Sequence, residues 1–315
     1  MRVIIAIPCY NEAATLPATL AELPRRLPGV TAVEWLVVDD GSQDGTADVA
    51  RARGVDHVVR HKRNLGLAAA FRTALDAGLA AGADVIVGTD ADNQYAASDI
   101  GKLVAPVIAG EADLVVGCRP IGTIPHFSAL KKILQRAGSG VVRMLSGQEV
   151  PDATSGFRAY SREAALKLVV LSDFSYTLES IIQAGYKGLT VRNVVVGVNP
   201  PLRPSRLFRS VPEYIRRSLN TITRAYILFR PLRVLGSAGA VIIGAGLFLL
   251  GRFLYFYFTV PGPTGHVQSL FVGGVLLLLG FQVVVMALLA DLIAANRRLL
   301  EDVLYRVKRG QYGRR

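Results

Sequence analysis

Thiols and imidazoles are scarce in this sequence. It has two cysteines and four histidines among 315 residues. Cys9 and Cys118 lie far apart and match no metal-binding or redox spacing, so we interpret them as small core residues of a protein in a reduced compartment. The opening apolar run, residues 1–8, is too short for a signal peptide and predicts that the N-terminal part stays in the cytosol.

Acidic residues are scarce in the last third of the chain. Residues 1–202 hold 20 basic and 20 acidic side chains, whereas residues 203–315 hold 16 basic and only 4 acidic ones. The net charge of +12 therefore comes entirely from the second part. Because this excess flanks long apolar runs, it favours contact with an anionic membrane and argues against a nucleic-acid-binding protein, which would carry a basic patch on its folded domain.

Two stretches almost lack charge. Residues 234–260 are apolar except for Arg252, and residues 269–290 contain no charged side chain. Each can span a bilayer core, which needs about 20 residues. Arginines flank the outer ends of the pair but not its connector, so we predict an integral membrane hairpin, residues 233–291, with both termini in the cytosol. Residues 205–232 are interpreted as amphipathic helices in the membrane interface, and residues 292–315 as a basic amphipathic tail.

Residues 1–204 alternate between short apolar runs and helical patterns. The predicted strands are residues 3–7, 34–38, 57–60, 85–88, 114–117 and 189–198. Residues 151–158 are predicted as a turn-rich loop. This order predicts an α/β domain with a mainly parallel, Rossmann-like sheet. Ligands of such sheets bind outside the carboxyl ends of the strands, where the acidic turns of this region fall.

Two carboxylates follow the fourth predicted strand. In an extended backbone, Asp90 and Asp92 would point to the same face, and Gln94 would continue it. Two carboxylates and an amide oxygen suit Mg²⁺ or Mn²⁺, which usually takes its remaining ligands from water and substrate phosphates. Because the motif is short, a solvated acidic loop is the alternative interpretation.

Four sequence motifs follow one another along the predicted α/β domain. They are Pro8-Cys9-Tyr10-Asn11-Glu12, Val38-Asp39-Asp40-Gly41-Ser42 with Asp44-Gly45-Thr46, Asn64 with Gly66, and Asp90-Ala91-Asp92 with Gln94. The chain resembles family 2 glycosyltransferases with a GT-A fold, and within them the dolichyl- or polyprenyl-phosphate sugar synthases. The resemblance covers residues 1 to about 206 by motif and the hairpin by architecture. It implies inverting transfer of a hexose from GDP-mannose or UDP-glucose to a polyprenyl or dolichyl phosphate at the cytosolic membrane face.

The resemblance also implies roles for individual residues. Those implied to bind the nucleotide sugar are Pro8, Tyr10, Glu12, Val38, Asp40, Asp90, Ala91, Asp92, Gln94 and Arg119. Asp40 would accept from the base or the ribose. The metal would be held by Asp90 and Asp92, helped by Gln94. Residues assigned to catalysis and the acceptor are Asp152, Arg119, Lys131, Arg203 and Arg206. Of these, Asp152 would orient the lipid phosphate or act as a weak base.

The sequence departs from the family in one place. Pro204-Ser205-Arg206 stands where the family often has Gly-x-Ser-Lys, so the arginine that contacts phosphate is left open. For Lys131, a solvated surface charge is the alternative interpretation.

Two other functions are weighed against this one. A processive polysaccharide synthase would carry a Gln-x-x-Arg-Trp motif, but the sole tryptophan, Trp35, lies in the second predicted strand. A non-catalytic, membrane-tethered sugar-nucleotide sensor is disfavoured because Asp90 and Asp92 are intact. The donor, the lipid length and the formation of a homo-oligomer stay open.

Overall fold

The computed structural model describes residues 1–120, 139–140, 142–144, 146–170, 176–200, 231–260 and 265–313. Two compact units make up the chain. The first comprises Met1–Ile222 and Leu304–Arg315, and the second comprises Thr223–Val303. Three residues assigned to catalysis from the sequence, Lys131, Arg203 and Arg206, lie outside the described residues, as do nearly all of the expected interfacial helices.

The first unit is built on a seven-stranded sheet. Its strands are β1 (Arg2–Cys9), β2 (Ala32–Asp39), β3 (His57–Arg60), β4 (Val85–Gly88), β5 (Leu114–Cys118), β6 (Arg158–Ser161) and β7 (Val191–Val195). The helices around it are α1 (Leu16–Glu22), α2 (Thr46–Ala52), α3 (Leu67–Ala80), α4 (Ile100–Ile108), α5 (Arg162–Lys167) and α6 (Tyr176–Tyr186). A 3₁₀ turn, Ala97–Asp99, precedes α4.

The strand order is β3-β2-β1-β4-β6-β5-β7. All neighbouring pairs are parallel except the two that involve β6, which runs antiparallel to both β4 and β5. This architecture confirms the predicted GT-A-like α/β fold. The expectation that the turn-rich loop continued through residue 158 was wrong by one residue, since Arg158 already begins β6. Strand β6 was not among the strands predicted from the sequence, because Arg-Ala-Tyr-Ser contains no apolar run of the kind that indicated β3 and β4.

The central strands explain why the sequence predicted the sheet well. Val3, Ile5 and Ile7 of β1 and Val37 of β2 are completely buried in one core cluster. Helices cover both faces of such a sheet, so its central strands are continuous apolar runs. Helix α3 can approach the sheet closely because a Cβ on Gly78 would lie only 2.8 Å from Ile86 Cδ1.

The second unit contains two long apolar helices, α7 (Pro231–Thr259) and α8 (Val267–Tyr312), of which α8 extends into the first unit. Both are long and apolar enough to cross a membrane and could form a transmembrane hairpin. They pack through glycines: a Cβ on Gly246 would lie 3.0 Å from the carbonyl oxygen of Gly273, and one on Gly239 would lie 3.1 Å from that of Gly280. Small residues allow the close backbone approach that is common between membrane helices. Residues 292–312, interpreted from the sequence as part of a basic amphipathic tail, continue helix α8.

Candidate active site

An open cleft of about 540 Å³ lies at the carboxyl ends of β1, β2 and β3. Its walls come from the loops after these strands, and its lining residues are Tyr10, Gly41, Ser42, Gln43, Arg60, His61, Lys62, Arg63 and Asn64. Three of them are cationic, so the cleft suits an anionic ligand. Tyr10 was expected here from the sequence, whereas the segment from Arg60 to Arg63 was not recognised. This segment could have been found from its position directly after a predicted strand, because ligands bind at the carboxyl ends of strands in such sheets.

Gly41 brings two walls of the cleft together. Its φ is +74°, and a Cβ at this position would lie 2.4 Å from the carbonyl carbon of Arg63. Only glycine combines the left-handed conformation with room for this approach. The loops after β2 and β3 are therefore in direct backbone contact.

Asp40 is a buried carboxylate that organises the same wall. Its Oδ1 accepts hydrogen bonds from Leu65 N at 2.9 Å and lies 2.7 Å from His61 Nδ1, while its Oδ2 accepts from Gly66 N at 2.8 Å. From the resemblance, these oxygens were expected to accept hydrogen bonds from the base or the ribose. Both are already engaged by the chain itself, so the observed contribution of Asp40 is to shape the cleft. Its contact with the nucleotide stays a prediction.

The loop after β1 is tied to the loop after β2. Asn11 N donates to Ser42 Oγ at 2.9 Å, and Glu12 N donates to Thr46 Oγ1 at 2.9 Å. Asp44 closes the link by accepting from Ala13 N at 2.9 Å. Burial acts to raise the pKa of Asp44, but hydrogen bonds from Thr46 and Ala13 lower it below its usual value. Pro8 and Val38 are register partners at the same end of the sheet.

The Asp90–Asp92 segment is a turn rather than an extended strand end. Strand β4 ends at Gly88, the chain turns at Ala91 and Asp92, and Asn93 has a left-handed φ of 56°. The expectation that Asp90, Asp92 and Gln94 share a face through an extended backbone was therefore wrong, although all three are half-buried here. Asparagine can occupy this position because, unlike a β-branched residue, it tolerates the left-handed region.

A glycine leaves open space beside Asp90. A Cβ on Gly156 would lie 3.3 Å from Asp90 Oδ1 and 3.0 Å from the hydroxyl of Tyr176. Gly156 N also donates to Tyr95 Oη at 3.0 Å, which brings the loop before β6 to the Asp90 turn. Among the described residues no group of three or more His, Cys, Asp or Glu could hold a metal. Asp90 lies beside the space that Gly156 leaves, and Asp92 follows in the same turn, so the segment offers carboxylate oxygens that suit Mg²⁺ or Mn²⁺ with further ligands from substrate and water.

Arg119 and Asp152 form a buried ion pair. Arg119 Nε lies 2.7 Å from Asp152 Oδ2, and Arg119 Nη2 donates to Asp152 Oδ1 at 3.1 Å and to Thr154 Oγ1 at 3.0 Å. Burial acts to raise the pKa of Asp152, but Arg119 outweighs it and the pKa lies below its usual value. Burial likewise acts to lower the pKa of Arg119, but Tyr95 and Asp152 raise it. A carboxylate held in this way is a poor base.

Arg158 was not recognised from the sequence as a functional residue. Its side chain is fully buried, and its guanidinium donates to the carbonyl oxygens of Ser155, Ala153 and Thr177 at 2.8 Å each. A fourth hydrogen bond reaches Ser180 Oγ at 2.7 Å. The loop that carries Asp152 and Gly156 is thereby attached to α6. Nothing in the local pattern distinguishes this arginine from a surface one.

The comparison with protein families agrees with this geometry. The model of the family described as "Glycosyl transferase family 2" matches residues 4–169. The chain belongs to this family. The match covers the Asp90 turn, Arg119, Asp152 and all three walls of the cleft, so the site lies inside the family's domain.

Several relatives of this glycosyltransferase have names that state a lipid acceptor. It is 36% identical over 174 residues to polyprenol monophosphomannose synthase of Mycolicibacterium smegmatis, covering 53% of this chain and 64% of that protein. It is 37% identical to undecaprenyl-phosphate mannosyltransferase of Micrococcus luteus, covering 51% of this chain and 66% of that protein. This chain thus spans just under two thirds of the length of either relative. Glycosyltransferase AglJ of Haloferax volcanii is 28% identical and covers 94% of this chain and 95% of that protein.

Solved structures share the fold. Glucosyl-3-phosphoglycerate synthase from Mycobacterium tuberculosis, in complex with Mn²⁺, UDP-glucose and phosphoglyceric acid, superposes with a TM-score of 0.56. The identity is 21%, and the match covers 71% of this chain and 79% of that one. This likeness shows the fold of the catalytic domain.

Proposed function

We propose that this protein transfers a hexose from a nucleotide sugar to a polyprenyl phosphate at the cytosolic membrane face, with inversion at the anomeric carbon. One structural observation carries the proposal. In a family 2 glycosyltransferase, a basic cleft and the Asp90–Asp92 turn open at the same edge of the sheet, and two helices that could cross a membrane follow. The names of the mannosyltransferase relatives support the acceptor class.

The chemistry suits the residues of the site. A phosphate oxygen of the acceptor bonds to the anomeric carbon, while the bond from that carbon to the diphosphate breaks and its electron pair leaves with the nucleotide. A phosphomonoester has a second pKa of about 6 and is largely ionised at neutral pH, so no residue has to remove a proton from it. This agrees with an Asp152 that is ion-paired and a poor base. Asp90 and Asp92 would hold Mg²⁺ or Mn²⁺, which supplies charge neutralisation at the leaving diphosphate.

The positive charge of the site serves two anions. Arg60, Lys62 and Arg63 line the cleft on the donor side. Arg119 is oriented by Asp152, and its side chain remains partly exposed. Fixed cations of this kind stabilise the charge that develops on a leaving group and hold two anionic substrates together against their repulsion. Lys131, Arg203 and Arg206 are proposed to assist on the acceptor side.

The proposal is tested by direct assay. Purified protein in detergent is incubated with Mn²⁺, a short polyprenyl phosphate and radiolabelled GDP-mannose, UDP-glucose or UDP-N-acetylglucosamine in separate reactions. We expect one donor to move its label into the organic phase, as a lipid that carries one sugar by mass spectrometry. A polymeric product would favour a polysaccharide synthase. Binding of a donor without turnover of any of them would favour a sensor.

A further inference from the structure

Helix α1 contacts the Asp90–Asp92 turn, the proposed metal-binding turn, through two hydrogen bonds. The proposed mechanism uses neither of them. Thr19 Oγ1 donates to the carbonyl oxygen of Ala91 at 2.9 Å, and Asn93 Nδ2 donates to Glu22 Oε1 at 2.8 Å. Thr19 and Glu22 are three residues apart and so share a face of the helix. Asp92 lies between the two attachment points along the chain. The chain is thus attached to α1 on each side of this carboxylate, through the Ala91 carbonyl on one side and the Asn93 side chain on the other.

The turn needs such support because the sheet does not supply it. Strand β4 ends at Gly88, four residues before Asp92. Asn93 follows in the left-handed region, with φ of 56°, which is less favourable than the right-handed one for residues other than glycine. The residue in this conformation is the same one whose side chain donates to Glu22.

Glu22 also reaches a third segment. Its Oε2 accepts a hydrogen bond from Asn199 Nδ2 at 3.1 Å. The backbone of this segment is paired with the turn as well, because Asn199 N donates to the carbonyl oxygen of Gln94 at 2.9 Å and Tyr95 forms an antiparallel bridge with Val198. The chain continues from Asn199 to Arg203 and Arg206, the proposed acceptor-side arginines. One carboxylate therefore connects the Asp90–Asp92 turn with the Val198–Asn199 segment.

The position of Glu22 in its helix is not explained by helix stability. It is the last residue of α1, where the partial negative charge of the helix end disfavours a carboxylate. An ionised carboxylate offers two oxygens and no donor, which matches two side-chain amides that each donate one N–H. Glu22 is exposed at the end of the helix, and each of its two oxygens accepts a hydrogen bond from one asparagine.

We propose that Glu22 is a positioning residue that holds the Asp90–Asp92 turn through Asn93 and the Val198–Asn199 segment through Asn199, so that these two segments keep a fixed spacing. This inference rests on the proposed function, because it concerns the Mg²⁺ or Mn²⁺ held at Asp90 and Asp92. It assigns no chemical step to Glu22. Its effect is on the affinity of the site for the cation and on the delivery of the lipid phosphate.

The first measurement is Mn²⁺ binding, followed by electron paramagnetic resonance in the presence of GDP and, separately, of UDP. We expect Glu22→Ala and Asn93→Ala to weaken Mn²⁺ binding by about fivefold, the size of one coupling of about 1 kcal/mol. Glu22→Gln keeps one acceptor oxygen and should fall between them and wild type. Glu111→Ala, a control at an exposed glutamate outside the site, should bind as wild type does.

The second measurement separates the two contacts by steady-state kinetics. We expect Asn199→Ala to raise the KM for polyprenyl phosphate by about threefold while Mn²⁺ binding stays within about twofold of wild type. Asn93→Ala should give the reverse pattern, and Glu22→Ala should show both effects. A merely structural role would lower the melting temperature of all three variants and separate neither parameter.

The outcomes distinguish this inference from the proposed function. If wild type binds Mn²⁺ with neither nucleotide, the metal assignment fails and the inference fails with it. If wild type binds Mn²⁺ and transfers sugar, but Glu22→Ala and Glu22→Gln match it in Mn²⁺ affinity and in lipid KM, only the positioning role is overturned. Should Glu22→Ala not fold, Glu22→Gln and Asn199→Ala carry the same test.

Discussion

Arg119 forms two hydrogen bonds with Asp152 in the first unit of the chain, which we call the catalytic unit. Arg119 Nε lies 2.7 Å from Asp152 Oδ2, and Arg119 Nη2 lies 3.1 Å from Asp152 Oδ1. The Asp152 side chain is fully buried, and Thr154 Oγ1 donates to its Oδ1 at 2.9 Å. Removing one partner from such a pair leaves an uncompensated charge in the interior, which costs about 3–5 kcal/mol. The pair is therefore a feature of folding as well as of the site.

The first prediction concerns acid stability. The pKa of Asp152 is lower in the folded protein than the ordinary value of about 3.9, so its ionisation stabilises the fold above that pH. This contribution is lost as pH falls through the folded-state pKa. Asp152→Asn should lower the melting temperature at pH 7, and its melting temperature should fall less than that of wild type between pH 5 and pH 3. If the melting temperatures of the two proteins fell by the same amount between pH 5 and pH 3, the prediction would be contradicted.

The second prediction concerns how Asp152 contributes to catalysis. If it acts by orienting Arg119, then Arg119→Lys, which loses the two-point geometry, and Asp152→Asn should each lower kcat by a similar factor. The double variant should be little worse than either single one, since coupled residues are non-additive. Nucleotide affinity of Asp152→Asn should stay near that of wild type. Multiplicative losses in the double variant would indicate that Asp152 has an independent role, such as that of a base.

The third prediction concerns the metal. Asp90→Asn and Asp92→Asn should each reduce turnover by at least about 100-fold, because each removes a charged oxygen ligand at the diphosphate. EDTA should abolish activity in wild type, and Mn²⁺ or Mg²⁺ should restore it. Asp48→Asn, a change at an exposed carboxylate that pairs with Arg51, serves as the control. Full activity in EDTA would refute the assignment of a metal.

The sequence predicted the sheet more accurately than it predicted the site. Strands such as β1 and β4 are buried on both faces, so each gives an apolar run that can be recognised locally. The shape of the Asp90 turn depends on contacts with Thr19 and Glu22, which lie about 70 residues earlier in the chain. No local pattern encodes such a contact, and the extended geometry assumed for this segment was accordingly wrong.

The same reasoning applies to two buried charged residues. The resemblance placed Asp40 at the nucleotide, but its bonds to Leu65 N and Gly66 N become visible only in the folded chain. Arg158 gave no signal because its partners are backbone carbonyls, and every residue type supplies these. The chemistry of a motif can be inferred from its residue types, whereas the contacts that support it form only between distant segments of the folded chain.

The fourth prediction uses two glycines with nearly equal backbone angles. Gly41 has φ of +74° and Gly54 has φ of +72°, but only at Gly41 would a Cβ clash, at 2.4 Å from Arg63 C. Alanine at either position pays the cost of the left-handed conformation, about 1–2 kcal/mol. Only Gly41→Ala must also separate the loops after β2 and β3. It should therefore lose nucleotide binding in a titration with GDP or UDP, whereas Gly54→Ala should bind normally with a reduced melting temperature. Equal binding by both variants would exclude the loop contact as a determinant of the cleft.

The fifth prediction concerns topology. The proposed donor is water-soluble and cytosolic, so the catalytic unit must face the cytosol, and the positive-inside rule agrees with that orientation. The chain offers a clean background for cysteine labelling, because Cys9 and Cys118 are both buried and burial raises the pKa of Cys118 to about 11. A thiol with that pKa reacts slowly at neutral pH. Gly265→Cys, in the connector between α7 and α8, should react with an impermeant maleimide added to intact cells. Gln311→Cys, near the end of α8, should react only after the membrane is permeabilised. The reverse pattern would place the catalytic unit outside the cell, away from its proposed donor, and would contradict sugar transfer at the cytosolic membrane face.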